Sequence, residues 1–129
     1  MNLTKKTLLA CIVQFALIAG APCASDDVDA DLMRGIDDTA KSLDSNVAQK
    51  DAKAAAADAK SLVETFAQVE AHYAAKPETA DAVGFAHRTQ DLAAQALKAI
   101  EANDFDAAGE AVNQLTRSCK TCHEVYKKD

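Results

Sequence analysis

Along most of this chain the apolar residues recur at intervals of three and four, the period of a helix with one buried face. Nowhere do β-branched residues alternate with polar ones, so no strand is predicted. Four stretches carry the helical pattern. The first is expected from about Asp27 to about Gln49, with Met33, Ile36, Ala40, Leu43 and Val47 as its stripe and Val28 and Leu32 beside it. The second, Asp51 to about Ala75, aligns Ala55, Ala59, Leu62, Phe66, Val69 and Tyr73. The third, about Thr79 to Ala102, carries Val83, Ala86, Ala93, Leu97 and Ile100, flanked by Phe85 and Leu92. The last reads Phe105, Ala108, Val112, Leu115, Cys119, Cys122 and Tyr126.

The breaks between these stretches are short. Gln49-Lys50-Asp51 and Asn103-Asp104 are turns, with Asp51 and Asp104 placed to cap the helices that follow. Pro77 ends the second stretch. Asp26, Asp27, Asp29 and Asp31 crowd the start of the first helix, where negative charge suits the dipole. Four helices of this length joined by short turns predict an all-α, antiparallel up-down-up-down four-helix bundle. Val47 to Leu62 can also be laid over Ile100 to Leu115, which matches Asp51 to Asp104, Ala54 and Ala55 to Ala107 and Ala108, and Leu62 to Leu115. The first and third turns are therefore expected to share one cap-then-alanine chemistry.

Residues 1–24 follow a different pattern. Lys5 and Lys6 precede an apolar run from Leu8 to Ala19 broken only by Gln14, and small residues follow. This reads as a secretory signal peptide, cleaved after Cys23 or Ala24, with a stretch too short to span a bilayer comfortably. A lipid anchor on Cys23 is the rival reading. The expected organisation is thus a signal over 1–24, a single domain over 25–129, export to the periplasm and no membrane-spanning segment. Losing 1–24 takes away two of the 14 basic residues and none of the 20 acidic ones, so the exported chain has a formal charge near −8. Such a chain has no electrostatic footprint for nucleic acid. An electrostatically steered protein partner should be basic where it docks.

Export also settles the cysteine count. Cys11 and Cys23 leave with the signal or sit at its edge, so the domain keeps Cys119 and Cys122. One pair this close staples almost nothing as a disulfide. Its context is Cys119-Lys120-Thr121-Cys122-His123, the Cys-x-x-Cys-His spacing of c-type haem attachment. Two thiols must reach two vinyl groups of one porphyrin, and an imidazole must reach its iron. Positions i, i+3 and i+4 share one helix face, so all three side chains can address one flat ligand.

A redox dithiol would want its thiolate at a helix N-terminus, and this pair lies near a C-terminus. A structural zinc site wants four ligands, and only His72 and His87 remain to help. Both histidines sit off their main stripes and read as surface or flank residues. One covalent haem c, with His123 as proximal iron ligand, is the expectation. It would also fill a thin, alanine-rich core.

Met33 is the one methionine outside the signal, and it lies on the core stripe of the first helix. Methionine at helical spacing commonly fills core gaps. Facing a haem, its thioether would be a soft distal ligand to iron. Arg34 and Arg117 could each reach a haem propionate through a guanidinium fork or serve as solvated helix charges. Tyr126 should pack on the haem edge or the bundle end.

With these residues in place, the chain resembles the class II c-type cytochromes, the cytochrome c-prime superfamily. The likeness rests on a four-helix pattern, Cys-x-x-Cys-His near the C-terminus, and the Tyr126-Lys127 tail. Leu32-Met33-Arg34 is similar to the Leu-Met-basic triplet of the low-spin branch, whose methionine ligates iron from helix one. The resemblance implies a non-enzymatic carrier of single electrons with His123 and Met33 as axial ligands. It also implies redox partner proteins, and a homodimer through the first two helices. The alternative within the same family is a five-coordinate haem that binds NO or CO.

Overall fold

The computed structural model describes residues 28–126, all of whose regular structure is helical. Helix α1 runs over Ala30–Ala48, α2 over Ala52–Ala74, α3 over Ala80–Glu101 and α4 over Phe105–Tyr126, with a short 3-10 turn at Pro77–Thr79. Each helix packs on its neighbour in sequence, and α1 also closes onto α4. This is the up-down-up-down four-helix bundle expected from the periodicity. The proposed signal at 1–24 lies outside the described residues, as does Lys127.

Local chemistry sets the helix ends. Helix α1 starts later than its acidic run suggests, because Asp29 leaves the helix and its carboxylate accepts from the Leu32 N–H at 2.8 Å. The first and third turns are one motif used twice. Lys50 and Asn103 both adopt left-handed backbone, at φ 57° and 56°. The Lys50 N–H donates to Val47 O and the Asp51 N–H to Asn46 O. In the same register Asn103 donates to Ile100 O and Asp104 to Ala99 O. These are Schellman closures, which satisfy the last carbonyls of α1 and α3. Asp51 and Asp104 then accept from Ala54 N–H and Ala107 N–H, each at 3.0 Å, and the next helix begins. The weak sequence echo is thus a repeated turn.

The core is built from small residues around a few large ones. Leu43, Leu62, Ile100, Leu115 and Val112 are almost fully enclosed, with Ala55, Ala59, Ala93, Ala96 and Ala108 packed between them. Alanine lets the backbones approach, which matters most where α3 sits between α2 and α4. Contact on both sides also corrects the expected α3 stripe. The buried face is Ala82, Ala86, Thr89, Leu92, Ala93, Ala96 and Ile100, while Val83 and Leu97 are half-buried. A helix between two partners needs a wider face than one stripe. Thr89 is polar and was outside the expected stripe. Its hydroxyl is satisfied by Phe85 O at 2.8 Å and the Ser118 hydroxyl at 2.7 Å.

The two left-handed residues generate a prediction. A side chain at such a φ is strained, and glycine is not. Lys50→Gly should therefore raise unfolding stability by about 0.5–1 kcal/mol, and Asn103→Gly by less, because asparagine tolerates this backbone. Urea unfolding of the two variants against wild type checks both magnitude and order.

Candidate functional site

The last turns of α4 bring Cys119, Cys122 and His123 to one side of the helix. Opposite them runs the face of α1 that carries Met33, Asp37, Ala40, Lys41 and Asp44, with Ala40 and Lys41 side by side one turn beyond Asp37. Because the two helices are antiparallel, the two rows oppose each other in reverse order. A cavity of about 320 Å³ lies between them, bordered by Met33, Asp37, Lys41, Cys119, Cys122 and His123. Its floor is apolar, from Phe66, Val69 and Tyr73 of α2 with Phe85 and Ala86 of α3. A second cavity of about 650 Å³ at the bundle end shares Met33, Asp37, Tyr73, Cys122 and His123 with the first. Residues far apart in sequence, Met33 and His123, therefore border both spaces.

Burial grades along α4. Its buried residues are Ala108, Ala111, Val112, Leu115 and Ser118; the two cysteines are half-buried free thiols and His123 is exposed at the cavity rim. Burial pushes the Cys119 thiol up to about 11, with smaller contributions from Cys122 and the Asp37 carboxylate. Burial also raises the Cys122 thiol. Neither is the activated thiolate that disulfide exchange chemistry requires. Tyr73 is raised by its own burial first and then by Cys122 and Tyr126, which places its phenol beside the thiol cluster. Tyr126 closes the bundle end, its ring 6.0 Å from that of Tyr73.

The donor set fits a covalently held porphyrin. Two thiols and an imidazole lie on one face, a thioether lies on the helix across the gap, and the walls between are largely apolar. It does not fit zinc. Among the described residues no three His, Cys, Asp or Glu side chains converge on a point that could hold a metal ion. His87 instead contacts Glu70 at 3.3 Å and Asp91 at 3.5 Å on the surface. His72 is bonded to Lys76 at 2.8 Å and stands edge-on to Tyr73.

The two arginines separate. Arg34 borders the bundle-end cavity beside Met33, and its exposed guanidinium is paired with Asp31 at 2.8 Å. Arg117 lies on an outer groove between α3 and α4, with Arg88 and Gln114, and borders neither cavity that holds Met33 and His123. The wall contains a basic residue that the sequence reading did not single out. Lys41 borders the first cavity and is paired with Asp37 at 2.5 Å. Stepping along α1 from Met33 by four and eight residues reaches Asp37 and Lys41, so helical spacing alone could have found both.

Among the described residues no helix is long and apolar enough to cross a membrane. Neither curated proteins nor solved structures provide a match to this chain. A family model described as Cytochrome C' matches residues 29–127, the whole bundle including both cysteines, His123 and Met33. Since that match covers most of the chain, the protein belongs to the Cytochrome C' family of c-type haem proteins.

Proposed function

We propose that this chain is a mono-haem electron carrier whose iron takes His123 and Met33 as its axial ligands. The observation that carries the reading is the pair itself: Met33 of α1 and His123 of α4 border the same two cavities as Cys122. When bound, the haem supplies a one-electron Fe(III)/Fe(II) couple. Cys119 and Cys122 would hold it by thioether links, which would keep it in place through repeated oxidation and reduction. His123 offers an imidazole nitrogen and Met33 a soft thioether, a combination that favours the reduced iron and raises the potential. Ile36, Phe66, Val69 and Phe85 line the cavity and would exclude water from a group held there, which would strengthen the influence of nearby charge. No nucleophile or general base enters the proposal, and the chain acts without being an enzyme.

The carrier works in the periplasm, exported by the segment at 1–24. Its acidic surface selects redox partners with a basic docking face, and a homodimer through α1 and α2 is part of the same reading. Arg34, at the mouth of the bundle-end cavity, is the better placed of the two arginines for a haem carboxylate.

Optical spectra test the ligand pair. The ferric protein should show the weak long-wavelength band of a methionine–iron bond, and Met33→Ala should abolish it. The same substitution should lower the potential by on the order of 100 mV, within the ~0.8 V range that axial ligands command. Five-coordinate, high-spin iron in the wild type would instead make the space beside Met33 a site for NO or CO.

The cysteines give a second test, on polypeptide made without haem. A Cys119 thiol at about 11 rather than 9.0 leaves on the order of 100-fold less thiolate at neutral pH. Iodoacetamide should label Cys119 more slowly than an unstructured cysteine peptide by on the order of tenfold, because the greater nucleophilicity of the more basic thiolate offsets part of its scarcity. Labelling as fast as the peptide, in polypeptide whose circular dichroism is that of the folded bundle, would restore dithiol chemistry as a function.

A further inference from the structure

Thr89 and Ser118 are the two buried polar residues among the described ones, at 2 % and 7 % exposure in a core otherwise made of apolar side chains. Their hydroxyls meet at 2.7 Å across the α3–α4 contact. Thr89 also donates to Phe85 O at 2.8 Å, so the Ser118 hydroxyl is the donor to Thr89 Oγ1. Neither residue has a place in the electron-carrier reading. Their position along α4 is what gives them one. Ser118 is the last buried residue of that helix, and every residue from Cys119 to Tyr126 is half-buried or exposed. The apolar anchors that precede it are Leu115, Val112, Ala111 and Ala108. No enclosed side chain beyond Ser118 holds the rotation of the final turns.

We propose that Thr89 and Ser118 form a positioning pair that sets the rotation of the haem-attachment turn. Neighbouring helix residues are about 100° apart around the axis, so the direction of Ser118 dictates those of Cys119, Cys122 and His123. A hydrogen bond is directional where alanine packing is not, and a buried hydroxyl is costly to leave unmade. Buried polar pairs of this kind fix register between helices. Thr89 borders the cavity while Ser118 borders the outer groove, so the bond spans the layer between the two. It holds the face bearing Cys119 toward α1 and Met33, and with it the approach of the His123 ring to iron.

This inference rests on the haem reading, and the test separates the two. Ser118→Ala removes the bond and leaves Thr89 still donating to Phe85 O, so no hydroxyl is stranded. Thr89→Val removes the same bond from the other side, and Thr89→Ser keeps it. In the haem-loaded full chain, ferric EPR of the wild type should show a single axial geometry. Ser118→Ala, Thr89→Val and their double variant should each split that signal, the double no further than either single. Thr89→Ser should restore the single signal. A wild-type EPR signal in Ser118→Ala would overturn the positioning role. Absence of covalent haem stain from the denatured wild type would overturn the haem reading and this inference with it.

Discussion

A flat prosthetic group joined to a helix at two points dictates where everything around it must stand. Cys119, Cys122 and His123 meet that demand because a helix returns to the same face after three and four residues. Once they share a face, that face must look into space, not into packed side chains. The bundle supplies the space between α1 and α4, where Met33, Ala40 and Cys119 are only partly buried. The tight part of the structure lies elsewhere, in the alanine-lined contacts of α3 with α2 and α4. Helix α3 thus acts as the spine, and α1 stands off on the far side of the gap.

The charges of that gap follow from its walls. Helix α1 presents Asp37, Lys41 and Asp44 to the cavity, while α2 and α3 present almost only hydrocarbon. The ion pair of Lys41 with Asp37 is exposed and i to i+4, so it contributes little to stability. Its importance is positional, since Asp37 is close enough to Cys119 to help raise that thiol. Any group held by the two cysteines would have the Asp37 carboxylate on one wall and the rings of Phe66, Tyr73 and Phe85 on the other. For a redox centre this asymmetry bears directly on potential, because charge acts more strongly where water is excluded.

The turns show how little local information is needed to fold such a molecule. Lys50-Asp51 and Asn103-Asp104 place a left-handed residue and a capping carboxylate in succession, and each stops one helix and starts the next. Asn103 suits that backbone and Lys50 does not, yet both turns close with the same two hydrogen bonds. Tertiary packing of the flanking helices overrides the weaker local preference.

Periodicity and spacing alone determined the four helices, their caps at Asp51 and Asp104, the face that carries Cys119, Cys122 and His123, and the all-α class. These are properties of one segment at a time, governed by a repeat of 3.6 residues and by short-range hydrogen bonds. What the three-dimensional fold decided concerns relations between segments. That Met33 borders the same cavity as His123, and that Arg117 does not, depends on how α1 and α4 are rotated about their own axes. That the buried Thr89 meets the hydroxyl of Ser118, twenty-nine positions away, depends on how α3 and α4 pack. A single stripe of apolar residues could not foresee it, because a polar side chain enters a core where its hydrogen bonds are met, here by Phe85 O on its own helix and by Ser118 on the next.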